Sequence, residues 1–559
     1  MNRNASLHRL RSEDFDICII GGGATGAGCA LDAATRGFRT ALIEQDDFAA
    51  ATSGTSTKLV HGGVRYLEQA FKNFDHRQLS LVRKALHERR TLLQIAPHLV
   101  HPLALLTPCF DLFEGLYYTI GLKLYDLLAG SRRIKPSEWL SKEETLNRFP
   151  AFDGHRLHSA VLYYDGQFDD VRLNLALVQT AAAHGAAVAN HLRAEQFDAA
   201  PNGQLNAVTV RDRLTGEVFV IRAKVFINAT GTNADTLRRV AQANQRPRMQ
   251  ASKGAHVVLP ANAIAQGEAA LLVPKTKDGR VLFAIPWRGH WLIGTTDTPA
   301  DPYETPYLQP DEADYLLEHV NKFLKEPVTL GQVTGGFAGL RPLLQPDQNA
   351  TLQKTETRNV VRDHEVEVDP QSKLVSIMGG KWTTYRLMAE ETIDTCGQLL
   401  GQALPCRTET IPLIGSEAFT ESFGNTFTRK ESNLPGKVAA HLVDTYGVRA
   451  EALATLCAAE PELTEGLVDA HPFIRAEVVY AVREEMAQTM PDMLLRRIRL
   501  GLVDWLATLE VLPVVADLMA RELGWTAAEK QQEESRFRAH MEEVIGQAGL
   551  SAPTEINKA

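Results

Sequence analysis

Cysteine is scarce and scattered in this chain. The six residues, Cys18, Cys29, Cys109, Cys396, Cys406 and Cys457, form no CxxC pair and no cluster with zinc-ligand spacing. That excludes a structural zinc site or a disulfide scaffold, no metal is expected, and the thiols read as buried and free in a reducing compartment. No window reaches the eighteen or so uncharged apolar residues that a spanning helix needs, so the chain is not expected to cross a membrane, though it can still lie on one. Basic runs with interleaved aromatics are missing as well, and the net charge is -9. Together these exclude nucleic acid as a partner. A small anion is a different matter, because local Arg and Lys capture it whatever the total. The first residues, MNRNASLHRLRSEDF, carry arginines but no apolar core of the kind a secretory signal requires. A strand follows almost at once, leaving little sequence to remove.

The composition, 44% hydrophobic and 23% charged over 559 residues, is that of a globular protein too long for one core. Two or three domains are expected. Ile17–Ile20 is a short apolar run that predicts a buried parallel strand. GGGATGAG at residues 21–28 follows, then a stretch with small and apolar residues at helical spacing, Gly37, and a second strand over Thr40–Ile43 that closes on Glu44. This is a strand–turn–helix–strand unit of dinucleotide-binding size. Gly21 makes the tight turn, Gly23 admits the pyrophosphate to the backbone, and Gly26 lets helix and strand pack closely. The helix N-terminus offers N–H groups and a positive dipole end. Glu44 is placed to accept from the adenosine ribose hydroxyls and would repel a 2′-phosphate. The motif alone does not separate FAD from NAD.

Further along, residues 225–231 predict another strand ending in a Gly turn. Residues 256–260, 281–287 and 291–297 predict antiparallel strands of a separate sheet, with WRGH at 287–290 as a hairpin turn. After about residue 400 strands become scarce. Residues 474–487 and 494–522 read as long helices.

The segment ATSGTSTKLVHGGVRYLEQ (51–69) closely resembles the FAD-linked glycerol-3-phosphate dehydrogenases, bacterial respiratory and mitochondrial. Further blocks agree, among them HERRTLLQIAPHL (87–99), YYDGQFDDVRLNLA (163–176), GTTDTP (294–299), GLRPL (339–343), VVRDHEV (360–366) and GGKWTTYRLMAEETID (379–394). The resemblance runs from about residue 14 to about residue 530. It implies an α/β fold: a Rossmann-like FAD-binding domain with an inserted antiparallel-sheet substrate domain and a helical C-terminal domain. The expected division is 14–85, 155–250 and 345–400 for the FAD-binding domain, 86–154 and 251–344 for the substrate (cap) domain, and 401–559 for the helical domain.

By the same resemblance the cofactor is FAD, held non-covalently. Gly21, Gly23, Gly26 and Glu44 would hold its ADP half. Ser53, Ser56 and Thr57 would contact the pyrophosphate and ribityl region, and Gly231, Gly380, Lys381, Trp382 and Thr383 would complete the site. The implied substrate, sn-glycerol 3-phosphate, carries a phosphate dianion, which calls for guanidinium forks and an ammonium. Arg65, Arg341, Arg362 and Lys381 match the family pattern, with Tyr66 nearby. The hydroxyl proton needs a base, and His256 in KGAHVV is the first candidate. His61 and His364 compete with it, and Arg341 could act electrostatically on the developing alkoxide. One departure stands out: the family pattern ATGP plus an aromatic is here ATGTNAD (229–235). That puts the contacts near Thr232 and Asn233 in doubt. No D-x-D-x-D-G loop occurs, so calcium regulation is not expected.

Residues 102–135 mix Leu, Phe and Tyr with a closing Arg132, Arg133 and Lys135. This suits an interfacial segment, with apolar faces in the acyl boundary and cations at headgroups. The resemblance adds a quinone acceptor and a peripheral location on the cytoplasmic side of the inner membrane. Oligomeric state is not legible, a homodimer being one option. Two rival readings stand beside this one: an oxidase of the same fold that returns electrons to oxygen, and a flavin-binding sensor without turnover.

Overall fold

The computed structural model describes residues 1–63, 76–345 (apart from 266, 268, 275 and 278), 364–430 and 434–551. Arg65, Tyr66 and Arg362, three of the expected substrate residues, lie outside the described residues.

Two sheets organise the molecule. In the first, five parallel strands run in the order Val375–Gly379, Val218–Asn228, Asp14–Ile20, Thr40–Ile43 and Ala187–Ala189. The expected Ile17–Ile20 strand is at its centre, where Ile17, Cys18 and Ile19 are fully buried. A strand covered on both faces reads as a continuous apolar run, because neither side meets water. Strand His364–Val368 pairs antiparallel at one edge. Leu192–Ala199, Leu205–Asp212 and the start of Val218–Asn228 form an antiparallel meander that carries the chain back to the centre.

The second sheet is built around Met249–Pro260, which pairs with Gly335–Leu344 over ten residues and with His290–Gly294. The expected 287–290 hairpin is present. Trp287 pairs with His290, and Arg288 and Gly289 take positive φ of 49° and 74°, as a two-residue turn requires. The domain division differs from expectation at two strands. Ser159–Phe168, assigned by sequence to the FAD-binding part, pairs along ten residues with Val100–Cys109 and belongs to the second sheet. Leu59–Val60 joins its edge there. Ten backbone pairs outweigh the strand's proximity in sequence to the first sheet.

The C-terminal part is helical, as expected, but its packing is not independent. Its apolar core is continuous with that of the second sheet, from Leu105 and Ile293 through Phe337 to Trp505 and Leu512. The long helix expected over 494–522 is broken. A π-helical turn covers Asp492–Arg497, Arg499 sits at φ 69°, and a new helix starts at Trp505, where the Asp504 side chain accepts from Ala507 N at 3.0 Å. Periodicity survives such a break, which explains why it was invisible in the apolar pattern. Helix Arg475–Glu485 closes at Met486, φ 55°.

Residues 102–135 are also divided. Leu103, Leu105 and Leu106 are buried in strand Val100–Cys109, while helix Leu112–Ala129 carries the exposed apolar side chains. Among the described residues no helix is long and apolar enough to cross a membrane.

Candidate active site

The dinucleotide turn has the geometry its glycines predict. Gly21 sits at φ 110°, and a Cβ there would come within 2.5 Å of Ala229 O. At Gly26 a Cβ would lie 1.8 Å from Gly21 O, which no side chain tolerates. Helix Ala24–Arg36 therefore starts hard against the strand ends, and its N-terminus opens onto a cavity of about 590 Å³. Gly21, Gly23, Glu44, Ser53, Gly231, Gly380, Lys381 and Trp382 all line this cavity. Residues from the beginning, middle and end of the first sheet thus meet, as a dinucleotide crevice at the carboxyl ends of parallel strands requires.

Glu44 is half-buried beside the turn. Its carboxylate accepts from Gly22 N at 2.6 Å and Asp46 N at 2.9 Å. Burial nevertheless pushes the carboxyl up to about 7, against the pull of those two amides. A half-buried carboxylate with two donors has lone pairs left over, so hydroxyl donors from a ribose fit here. The turn, the helix N-terminus and this carboxylate together suit the ADP half of FAD.

Across the cavity Gly379 and Gly380 take positive φ of 76° and 83° and lead into the turn Trp382–Thr384, which opens helix Tyr385–Leu400. Trp382 Nε1 donates to Ser53 O at 2.8 Å, and Ala24 N donates to Ser53 Oγ at 2.9 Å. Thr383 Oγ1 accepts from His61 N at 3.2 Å. Loop 51–58 is in this way pinned to both walls of the crevice. Ser56 takes a different position from the one the resemblance implies. Its amide and hydroxyl both donate to Asp170 Oδ2, at 3.0 and 2.7 Å, on the side away from the cavity. The ATGTNAD departure folds into a short turn, Gly231–Asn233, that still lines the cavity.

His256 and Arg341 sit on adjacent strands, Met249–Pro260 and Gly335–Leu344, with His256 opposite Phe337 and Arg341 opposite Ser252. The His256 ring is 2% exposed and stacks on Phe337 at 4.8 Å. The absence of a side chain at Gly294 makes room for it, since a Cβ there would approach the ring to 2.1 Å. Its Nε2 lies 3.0 Å from Thr57 Oγ1, while Nδ1 has no hydrogen-bond partner among the described residues. Burial first, then the charges of Lys58 and Arg341, hold the imidazole well below its ordinary value. The ring is therefore neutral at physiological pH. Arg341 donates to Thr295 Oγ1 at 2.8 Å and Thr296 O at 2.9 Å, so the GTTDTP block orients the guanidinium. Of the competing histidines, His364 Nε2 is engaged by Glu391 at 2.8 Å.

A buried ion cluster lies directly behind loop 51–58. Lys58 donates to Asp170 at 2.6 Å and to Gly54 O at 2.9 Å. Arg499 reaches Asp169 and, at 2.7 Å, Asp170. Burial and then Arg499 push the Lys58 ammonium down to about 7, with Asp170 pulling it back up. None of these residues was singled out from the sequence. Asp169 and Asp170 lie within a matched block, and two adjacent acids opening a helix were the available signal.

Two family models match the chain, FAD dependent oxidoreductase over residues 16–385 and the C-terminal domain of alpha-glycerophosphate oxidase over residues 406–530. With the crevice described above, they define an FAD-dependent oxidoreductase. Among curated relatives, the human mitochondrial glycerol-3-phosphate dehydrogenase is 39% identical over 581 residues, covering 100% of this chain and 79% of its own length. The mitochondrial enzyme of Arabidopsis thaliana is 40% identical over 561 residues, covering 96% of this chain and 88% of its own. The glycerol-3-phosphate dehydrogenase of Bacillus halodurans, solved in complex with FAD, matches with a TM-score of 0.78 at 29% identity over 97% of each chain. The chain belongs to the FAD-dependent glycerol-3-phosphate dehydrogenase family.

Proposed function

We propose that this protein oxidises sn-glycerol 3-phosphate to dihydroxyacetone phosphate and passes the two electrons to a membrane quinone. When bound, FAD would supply the two-electron acceptor that such an oxidation at C2 requires. The observation that carries the reading is the buried, neutral His256, one nitrogen engaged by Thr57 and the other without a partner among the described residues, in the field of Arg341. His256 takes the C2 hydroxyl proton, and Arg341 stabilises the negative charge that develops on that oxygen. Lys381 lines the cavity and contributes to phosphate binding together with Arg65 and Arg362. Tyr66 completes that set. The turn at 380–383 opens a sixteen-residue helix, whose positive end favours the charge of a reduced flavin.

Membrane contact is supported by one face of helix Leu112–Ala129. Phe113, Ile120 and Leu127 are 82%, 61% and 74% exposed, Leu116 and Tyr117 lie beside them, and Arg132, Arg133 and Lys135 follow exposed. A soluble surface has no reason to gather such side chains on one helix, whereas a bilayer interface does. We place the protein peripherally, on the cytoplasmic side of the inner membrane, a side that suits its free thiols. Turnover with a quinone analogue should yield dihydroxyacetone phosphate in a one-to-one ratio with acceptor reduced. In air without acceptor it should give little peroxide. Peroxide formed as fast as ketone would replace the quinone by oxygen and make the protein an oxidase.

A further inference from the structure

The C-terminal domain touches the FAD-binding part through three arginines near the break in its helices. Arg496 and Arg497 close on Asp47, at 2.7 and 2.5 Å, three residues beyond Glu44. Arg499 closes on Asp169, Asp170 and the Gly54 carbonyl, the last at 3.2 Å. The Arg497 and Arg499 side chains are wholly shielded from solvent. A guanidinium without water must be satisfied by the groups around it, so its position is fixed by theirs and theirs by it. Arg499 also takes φ 69°, which L side chains rarely adopt, and strong anchoring is needed to sustain it.

Loop 53–58 stands between this cluster and the flavin crevice. On the crevice side Ser53 meets Trp382 and the N-terminus of the dinucleotide helix, and further along the loop Thr57 meets His256. On the other side Gly54 O and Ser56 are held by Arg499, Lys58 and Asp170. The loop is one short piece of chain, so a shift on one side moves the other.

We propose that Arg499 is a positioning residue for the flavin reaction, setting loop 53–57 against the Trp382 turn and His256 through Gly54 and Asp170. The C-terminal domain is thereby part of the cofactor site. A lysine could neutralise the aspartates, but its single ammonium cannot span both carboxylates and the carbonyl as the planar fork does. Charge and geometry can therefore be separated.

The inference rests on loop 53–57 facing FAD, and two of its readouts need no substrate. FAD affinity and the visible spectrum of the bound flavin are measured for R499Q, R499K and, as control, R483Q, whose arginine pairs with Glu522 in an exposed position of the same domain. R499Q is expected to bind FAD roughly tenfold more weakly or worse, with an altered flavin band. At saturating FAD its reduction by glycerol 3-phosphate slows by roughly ten- to a hundredfold with KM within about twofold, the pattern of a misplaced site. R499K falls between R499Q and the unaltered protein, and R483Q matches the latter. If R499Q does not fold, R499K is judged by the same readouts. Wild-type FAD affinity, spectrum and reduction rate in the folded arginine variants, with only thermal stability lowered, would overturn the proposal. Slow reduction with unchanged affinity and spectrum would also overturn it.

Discussion

Glu44 is a half-buried carboxylic acid that lines the cavity where a ribose would dock. Its carboxyl titrates near 7 because burial outweighs two amide hydrogen bonds. Hydroxyl donors from bound FAD favour the ionised form, so the pKa of the complex is below that of the free protein. The sign follows: above pH 7 Glu44 is already ionised and affinity is flat, whereas below pH 7 it must lose a proton to bind. FAD affinity is expected to fall by roughly tenfold per unit as pH drops below 7, and to become flat with pH in E44Q. Equal affinity at pH 6 and pH 8 in the unaltered protein would contradict this. His256 gives a second residue-scale test. H256Q should keep FAD and lose about 10²- to 10⁴-fold in the rate of flavin reduction. Because the imidazole is held well below its ordinary value, the acid limb of kcat/KM that it causes lies below pH 6.5. A limb above pH 6.5 that disappears in H256Q would show the environment of His256 to be polar, not buried. Both residues were singled out from the sequence, Glu44 from its position at a strand end and His256 as an imidazole in KGAHVV suited to take a proton. Lys58, Asp170 and Arg499 were not, since a buried ion cluster joins residues hundreds of positions apart and leaves no local spacing.

At the scale of elements, what the sequence announced best was whatever repeats locally. The strand at 17–20, the glycine turn and the 287–290 hairpin all rest on short-range sterics, and all appear where the pattern put them. Ser159–Phe168 was misassigned because its sheet is chosen by a partner some fifty residues earlier, not by its own composition. The helix break at 498–504 was hidden because Arg499, a good helix former, is drawn into a left-handed conformation by carboxylates far away in sequence. Residues 102–135 looked interfacial throughout, yet their first stretch, to Cys109, belongs to a mostly buried strand. Helix Leu112–Ala129 is the part that faces outward, and it makes its own prediction. Replacing Phe113 and Ile120 together by Glu should weaken binding to anionic phospholipid vesicles by about two orders of magnitude or more, because each apolar side chain contributes roughly 1.5–3 kcal/mol on burial. Activity with a water-soluble electron acceptor should stay unchanged. Co-sedimentation with the vesicles measures the first and a dye assay the second; undiminished sedimentation would remove this helix from the membrane contact.

At the scale of the whole molecule, residues of both sheets line one crevice. The parallel sheet brings the dinucleotide turn, the Gly231 turn and the 379–383 turn to a common edge. The second sheet contributes Pro342 to the lining and carries His256 and Arg341 on adjacent strands, and its core runs without interruption into the C-terminal helices. The central claim is that this assembly takes electrons from glycerol 3-phosphate onto FAD. The most direct measurement is the visible spectrum of the oxygen-free protein, in detergent and loaded with FAD, before and after glycerol 3-phosphate is added. Flavin bands that bleach at once and return when a quinone analogue is added are the predicted result; a protein that binds FAD and stays yellow with glycerol 3-phosphate would contradict the account.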